Sequence, residues 1–255
     1  MSIYQHFRED EKPFIDRVLD WKARVLETYV PVRTDFLNPR EREIMRAVIG
    51  SDEELQLRFS GGFEGAERMR ATLSPPYAEE PDFGLAFFEL HYPKKFVTID
   101  HRSLLGALIG LGIKREKLGD LLISEDRVQW VAAEEVAGYL MAALTRVGRH
   151  RVTCVAIGAD ELIRPTAVWE ERTGTVSSLR LDAVLAEIYR LSRAKAASAV
   201  EAGLVKVNWK LVEKPAFELE AGDQLSVRGH GRSKLVAVEG RSKRGNHVIR
   251  YALLK

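Results

Sequence analysis

Residues 82–160 alternate between strand and helix patterns in an order that few folds accommodate. Apolar runs at helical or alternating spacing divide the segment into six elements. In order, these are LAFFELHY (strand), HRSLLGALIGLG (helix), KLGDLLIS (strand), RVQWVAA (strand), EEVAGYLMAALTRVG (helix) and RVTCVAIG (strand). The β-α-β-β-α-β order is that of the ferredoxin-like arrangement. We therefore expect a ferredoxin-like middle domain over residues 82–160.

The predicted middle domain does not by itself assign a function. RRM-type RNA binders share this arrangement, but RVTCVAIG lacks the aromatic residues of their RNP1 strand. Four charged residues flank the apolar first helix: His101, Arg102, Lys114 and Arg115. They could form a basic rim for secondary RNA contacts, and a solvated helix end with its loop explains them equally well.

The first 75 residues read as a separate mixed α/β domain. Phe14, Val18, Trp21 and Val25 recur at helical spacing after Pro13, which suits a first helical turn. NPREREIMRAVIG predicts a second helix, with Asn38 as its N-cap and Gly50 as its stop. LQLRFSGG then predicts a strand and EGAERMRATL a helix. Three prolines in SPPYAEEPD mark the boundary with the middle domain.

The glycines of SGGFEGAER lie between this predicted strand and this predicted helix. A phosphate could bind there at a helix N-terminus. The stretch lacks the Lys and Ser/Thr of a P-loop, so an ordinary connecting loop is the favoured interpretation.

Residues 176–255 predict a third domain of two short helices and a small sheet. Leu181, Val184, Leu185 and Ile188 fall on one helical face, and Ser192 can cap a second helix that Gly203 ends. The strand patterns LVKVNWK, AGDQLSVRG, KLVAVEG and HVIRYALL follow, separated by turn residues. We interpret the preceding DELIRPTAVWEERTGTV as an interdomain connector. The fold class is thus α+β, with domains over residues 1–75, 82–160 and 176–255.

Charge is segregated along the chain. Residues 176–255 hold 15 Lys and Arg against 8 Asp and Glu, a net charge of +7, whereas residues 1–175 have a net charge of −5. A basic terminal domain beside a mildly acidic body is typical of a protein whose basic part meets a polyanion, although a solvated basic surface has the same composition.

A phosphate-binding set can be picked out within the predicted helix pair. Arg180, Arg193 and Lys195 lie off the apolar faces, and Ser192 adds a hydroxyl beside the backbone amides of a helix start. RNA contact is favoured over a solvated face on this spacing. Trp209 could stack on a base, but we favour an interpretation in which it covers the core.

The same stretch resembles the S4 RNA-binding domain. The elements RLD, SR, G-x-V-x-VN and GD-x-(hydrophobic) appear in order over about 55 residues. In that family the two-helix face binds structured RNA. The resemblance implies RNA-binding roles for the residues at the matching positions: Arg180, Ser192, Arg193, Lys195, Asn208, Lys210 and Arg228. Near the C-terminus, Arg232, Lys234, Arg241, Lys243 and Arg244 cluster around turns. They would add electrostatic reach without base specificity, and a solvated hairpin is the alternative.

A second resemblance covers nearly the whole chain. The stretches FSGGFEGAERMRA, HRSLLGALIGLGIKREKLGD and VSSLRLDAVLA are similar to the bacterial YlmH family. Members are cytoplasmic S4-domain proteins linked to cell division by gene neighbourhood and implicated in ribosome-associated quality control. The resemblance implies binding to rRNA or tRNA on the ribosomal large subunit. We further expect a monomer that requires no cofactor.

Catalysis is the main rival to a binding role, because S4 domains often accompany RNA-modifying enzymes. RLDAVLAEI belongs to the first S4 helix and not to a pseudouridine synthase motif, and we find no methyltransferase or synthetase signature. The six histidines lack metal-ligand spacing. We therefore expect no enzyme activity. A protein-interaction factor in cell division and an S4-appended RNA-modifying enzyme remain the alternatives.

The predicted environment is the cytoplasm. No apolar run approaches the roughly 18 residues of a membrane span, and the N-terminus lacks the apolar core of a secretory signal. The single cysteine, Cys154, lies in the apolar run VTCVAIG, where we expect a buried thiol.

Overall fold

The computed structural model describes residue 7 and residues 9–164 and 169–254. Contacts divide the chain into two units, residues 1–165 and residues 166–255. Residues 1–6, where a secretory signal would begin, lie outside the described part. No helix in the described part is long and apolar enough to cross a membrane. The two units are each α+β and are described in turn.

The first unit begins with two helices and a three-stranded antiparallel sheet. The elements are α1 (Lys12–Thr28), β1 (Val32–Leu37), α2 (Pro39–Ile49), β2 (Gln56–Ser60) and β3 (Met69–Ser74), with strand order β1-β3-β2. The predicted cap of α2 is confirmed. Asn38 Oδ1 accepts from the Glu41 N–H at 3.0 Å, and the Asn38 N–H donates to the Glu41 carboxylate at 2.7 Å.

The predicted helix over EGAERMRATL is wrong. Residues 69–74 form β3, the central strand of the sheet, and Ala71 and Leu73 are fully buried. Glu, Ala, Arg and Met favour a helix locally, but pairing on both edges and burial outweigh that propensity. The glycine loop before β3 therefore leads into a strand, so the helix N-terminus that phosphate binding would need is absent there.

The second part of this unit has the predicted ferredoxin-like topology. Its elements are β4 (Leu85–His91), α3 (His101–Gly110), β5 (Leu118–Ile123), β6 (Val128–Ala133), α4 (Ala137–Ala143), β7 (Arg146–Val147), β8 (His150–Arg151) and β9 (Thr153–Ile157). The antiparallel sheet has the order β5-β6-β4-β9, which places the first and third strands of the motif at its centre. The predicted β-α-β-β-α-β order is confirmed.

The second helix and the last strand of this motif each test a prediction. The predicted second helix extended to Gly148, but α4 ends at Ala143 and the following residues form the short β7–β8 hairpin. Cys154 lies in the edge strand β9 and is buried, as expected. Burial raises the pKa of its thiol to about 12.

The three-stranded sheet and the ferredoxin-like sheet pack against each other through apolar side chains. Phe36 of β1 joins Leu122 and Val131 in one buried cluster. Packing is close enough that a Cβ added at Gly119 would lie 2.8 Å from the Phe36 ring. A side chain at this position would force the two layers apart.

Arg70 connects the same two layers with buried polar contacts. Its guanidinium donates to the Thr34 carbonyl at 2.7 Å, to the Gly84 carbonyl at 2.9 Å and to both carboxylate oxygens of Glu135. Lys117 donates to Glu135 at 2.8 Å. Burial alone would raise the pKa of Glu135, but the hydrogen bonds from Arg70 and Lys117 outweigh it and lower that pKa to about 2.

The second unit packs two helices on a six-stranded antiparallel sheet. Its elements are β10 (Trp169–Val176), α5 (Leu181–Ile188), α6 (Arg193–Glu201), β11 (Val205–Val207), β12 (Lys210–Leu211), β13 (Gln224–Val227), β14 (Gly231–Arg241) and β15 (His247–Leu254). The strand order is β10-β15-β14-β13-β11-β12. Leu181, Val184, Leu185 and Ile188 all lie in the core, which confirms the predicted helix face.

The predicted connector over residues 160–176 is only partly a connector. Residues 169–176 form β10, which pairs along its full length with β15. Residues 165–168 lie outside the described residues. The sequence WEERTGTV gave no strand signal because β10 is an edge strand with mostly polar side chains.

Candidate nucleic-acid interface

The start of α6 places three predicted site residues on the surface of the second unit. Ser192 is the N-cap, and its hydroxyl accepts from the Lys195 N–H at 3.2 Å. Ser192, Arg193 and Lys195 are all exposed. The first turn of a helix leaves backbone N–H groups without intrahelical partners and carries a partial positive charge. The cap thus fixes two cationic side chains beside an electropositive helix end.

Asp182 of α5 holds two arginines next to this helix start. Its side chain is only 5% exposed, and it accepts from Arg180 at 2.9 and 3.2 Å and from Arg193 at two distances of 3.4 Å. Burial alone would raise the pKa of Asp182, but the hydrogen bonds from Arg180 and Arg193 outweigh it and lower that pKa. We call Arg180, Asp182, Ser192, Arg193 and Lys195 the helix-pair cluster.

The helix-pair cluster brings together four of the residues predicted to bind RNA and adds Asp182. No role was predicted for the aspartate of the RLD motif. A usable signal was present, because Asp182 follows Leu181 in a helix whose other residues, apart from Glu187, are apolar, and a carboxylate buried there needs cationic partners.

Asn208, which was predicted to bind RNA, has its side-chain amide engaged within the second unit. It lies with Trp209 in the turn between β11 and β12, where both residues have positive φ angles of 48° and 63°. Its side chain donates to Asp223 at 2.8 Å and accepts from the Gln224 N–H at 2.9 Å. Both ends of the amide are therefore engaged in shaping the turn. Trp209 is half-buried at the same turn, and Lys210 is half-buried in β12.

The remaining predicted cations of this unit lie apart from the helix-pair cluster. Arg228 is exposed just after β13, where its N–H donates to the Leu204 carbonyl at 2.9 Å. Ser233 of β14 is buried and contacts the Tyr189 hydroxyl at the end of α5 at 3.0 Å. Because strand side chains alternate between faces, Arg232 and Lys234 point to the sheet face opposite the helices.

The four residues predicted to form a basic rim in the first unit do not form one. His101 and Arg102 begin α3, whereas Lys114 and Arg115 follow its other end, about 15 Å away. The Arg115 guanidinium donates to the carbonyls of Leu118 and Gly119 at 2.7 and 3.2 Å. Burial, together with the charge of Arg68, lowers the pKa of Arg115 to about 10. Arg115 therefore stabilises the start of β5.

Sequence reasoning missed another group of cations in this unit. Arg146, Arg149 and Arg151 cluster on the β7–β8 hairpin. Arg146 was predicted to lie in the last turn of a helix and Arg151 to begin a strand, and Arg149 was assigned to neither. A signal was present in TRVGRHRV, where alternation around Gly148 is typical of a hairpin. Among the described residues, no group of His, Cys, Asp and Glu is arranged to hold a metal ion.

Three family models match residues 10–161 and 179–225 of the chain. Residues 10–78 match the family described as "YlmH, N-terminal", residues 78–161 that described as "Putative RNA-binding domain in YlmH", and residues 179–225 the S4 domain. The S4 match contains the helix-pair cluster, and the RNA-binding match contains the ferredoxin-like sheet.

Individual proteins agree with the family matches. The Bacillus subtilis (strain 168) protein named "Ribosome-associated protein quality control protein P2" is 50% identical over 245 residues, which cover 95% of each chain. A solved structure described as "Cell division protein ylmH from Streptococcus pneumoniae" is 31% identical, with a TM-score of 0.55 over 64% of this chain and all of that one. The resemblance drawn from sequence motifs is confirmed, and the chain belongs to the YlmH family, with an RNA-binding S4 domain in its second unit.

Proposed function

We propose that this protein binds structured RNA, either rRNA or tRNA, on the ribosomal large subunit through the helix-pair cluster. It acts in the cytoplasm in ribosome-associated quality control and catalyses no reaction. The S4 match and the name of the Bacillus subtilis relative support this proposal. The net charge of +7 over residues 176–255 supports it independently.

The observation that carries the proposal is the pairing of two arginines with one buried carboxylate. Two cations around one anion leave a net positive charge at this point. Each guanidinium has five N–H donors and uses two on Asp182, so among the described residues three remain for another acceptor. Lys195 and the α6 start lie beside them. A guanidinium group can donate to two oxygens of one phosphate at once. When the group is already held in position, little side-chain entropy is lost on binding.

The competing function is protein interaction in cell division. The description of the Streptococcus pneumoniae structure favours it, and so does the net charge of −5 over residues 1–175, which suits a basic protein partner. This function requires no contribution from the helix-pair cluster to binding.

The test is co-sedimentation of the full-length protein with purified ribosomal subunits and with total tRNA across a salt series. Replacing Arg193 and Lys195 together by Ala should weaken association at least tenfold. It should also lower the slope of log affinity against log salt by about 0.9 per lost phosphate contact. Folding should be unchanged, because Arg180 still pairs with Asp182.

The matched control is the double variant Arg172→Ala/Lys206→Ala. It removes two exposed cations from β10 and β11 and so lowers the charge of the same unit equally. Its affinity should stay within about twofold of the wild type if position and not net charge matters. Equal losses in the two double variants, or none in either, would refute the assignment of the helix-pair cluster.

A further inference from the structure

An open cavity of about 580 Å³ lies beside the β7–β8 hairpin of the first unit. It is bounded on one side by the end of β4 and the residues that follow it, and on the other by the hairpin strands. The polar side chains that line it include His91, Arg146 and Arg151. We call this cavity the hairpin groove.

The two arginines of the hairpin groove face each other across the hairpin. Arg146 pairs directly with Arg151 in the β7–β8 register, and both side chains are exposed. Like charges opposite each other destabilise a strand pair. Within the described residues no carboxylate forms an ion pair with either arginine. The arrangement lacks an internal counter-ion, and an external anion in the groove would supply one.

The carboxylate nearest in sequence to groove-lining residues 91–93 already has cationic partners. Glu89 of β4 accepts from Arg127 at 2.6 Å and lies 3.8 Å from Lys94. Arg149 in the hairpin turn, His150 in β8 and Lys95 in the loop after β4 add further basic groups. These basic groups outnumber Glu89 and Asp126, the two carboxylates whose charges act on the groove-lining Tyr92, in a unit whose overall charge is negative.

An exposed aromatic residue stands beside the basic groups. Phe96 is 87% exposed, and its N–H donates to the carbonyl of Pro93, which lines the groove, at 3.0 Å. This turn keeps Phe96 close to Pro93, next to Lys94 and Lys95. Aromatic side chains interleaved with cations are typical of surfaces that bind unpaired nucleotides, where bases stack on rings and cations contact phosphates.

We propose that the hairpin groove binds the phosphodiester backbone of an unpaired RNA segment, with Arg146 and Arg151 on the phosphates and a base stacked on Phe96. The inference rests on the proposed function in taking RNA as the ligand. The proposed RNA contact is far in sequence from the helix-pair cluster. Within the first unit it lies at the β7–β8 hairpin and not at the ends of α3.

The test measures binding of the full-length protein to a fluorescent single-stranded oligoadenylate RNA and to total tRNA across a potassium chloride series. Arg146→Ala/Arg151→Ala should weaken oligoadenylate binding at least tenfold and lower the salt slope by about 0.7 per lost phosphate contact, the value for a single strand. Thermal unfolding of this variant should occur at the same or a higher temperature, because a like-charge pair is removed.

Phe96→Ala provides a second variant at an exposed position that does not endanger folding. It should weaken oligoadenylate binding about fivefold or more while leaving the salt slope unchanged, and Phe96→Trp should restore affinity. The matched control is Arg102→Ala/Lys114→Ala, which removes two exposed cations at the two ends of α3. Wild-type affinity is expected for this control. A loss there with none in the hairpin variant would overturn the proposal.

The Arg193/Lys195 variant measured in parallel separates this inference from the proposed function. If it alone loses RNA binding, the proposed function stands and the hairpin groove is not an RNA site. If the hairpin variant alone loses binding, the groove is supported and the helix-pair assignment fails. A hairpin variant that loses polyglutamate binding to the same extent as RNA binding would mark a generic anion site and would also overturn the proposal.

Discussion

Arg70 and Arg193 both pair with a carboxylate, but 3% of the Arg70 side chain is exposed against 51% of that of Arg193. In the first unit the arginine is buried and the carboxylate of Glu135 is partly exposed. In the second unit the carboxylate of Asp182 is buried and the arginines are partly exposed. The buried partner determines the role: Arg70 joins two layers of the fold, whereas Asp182 orients cations toward solvent. The same type of ion pair thus stabilises the fold in one unit and holds positive charge at the surface in the other.

The largest effect is expected from Arg70→Ala. It removes the guanidinium that the Thr34 and Gly84 carbonyls share and leaves Glu135 with Lys117 as its partner, so the free energy of unfolding of the first unit should fall by about 3 kcal/mol or more. Hydrogen exchange of residues 69–74 and 128–133, which lie in β3 and β6, would report this change.

The matched control for Arg70 is Arg33→Ala. Arg33 is an exposed arginine of the same sheet, whose ion pair with Asp82 spans 3.4 Å at the surface. Its removal should cost less than about 1 kcal/mol. Similar losses in the two variants would break the comparison, because burial would then not distinguish the two arginines.

An intermediate effect is expected from Asp182→Asn. The amide has one acceptor oxygen in place of two and turns an NH2 group toward N–H donors, so at most two of the four hydrogen bonds from Arg180 and Arg193 remain. The free energy of unfolding of the second unit should therefore fall by about 2 kcal/mol. The substitution also makes the protein more positive, which on charge alone would tighten RNA binding. If Asp182 positions Arg180 and Arg193, affinity should instead fall several-fold, measured by the same co-sedimentation.

Glu201→Gln removes one negative charge from the exposed end of α6 and controls for the change in net charge. Its RNA affinity should equal or slightly exceed that of the wild type. An Asp182→Asn protein that binds as tightly as the Glu201→Gln protein would contradict the positioning role.

The smallest effect concerns the acid stability of the first unit. The folded pKa of Glu135, about 2, lies below its ordinary value of 4.5, so its ion pairs contribute stability that is fully present above about pH 4.5 and is lost as pH falls toward 2. Glu135→Gln removes this contribution. The stability difference between wild type and variant should therefore shrink between pH 6 and pH 3, by about 1 kcal/mol after solvent screening.

Urea unfolding at the two pH values measures this difference. Glu80→Gln, which removes an exposed carboxylate whose partner is 3.9 Å away, controls for the loss of one charge. A constant difference for Glu135→Gln across the acid range would show that its ion pairs add no stability.

Local sequence patterns correctly predicted the elements that depend on interactions between residues close in sequence. The Asn38 and Ser192 caps, the core face of α5 and the ferredoxin-like strand order follow from spacing and capping chemistry alone. Residues whose surroundings come from distant segments were misjudged. Residues 69–74 are a strand because β1 and β2 flank them, and Arg115 is half-buried beside Arg68, which donates to the Arg115 carbonyl at 3.4 Å from 47 residues away. Neither fact is visible in local composition.

The helix-pair cluster shows the same limit. Spacing indicated Arg180, Ser192, Arg193 and Lys195, but not that one buried carboxylate would hold two of them, because the contact joins α5 to α6 across 11 residues. Asn208 matched a family motif, yet its amide is engaged with Asp223 and Gln224, 15 and 16 residues away. Motif position alone does not separate a residue that touches a ligand from one that shapes a turn.

Cys154 gives the protein a built-in reporter of local opening. It is the single cysteine of the chain, it is buried in the edge strand β9, and its thiol stays protonated at neutral pH. Alkylating reagents attack the thiolate, so modification requires that β9 first separate from β4. The rate of alkylation therefore measures how often this sheet edge opens, without an introduced label. A bound ligand that stabilises the adjoining hairpin would lower the alkylation rate.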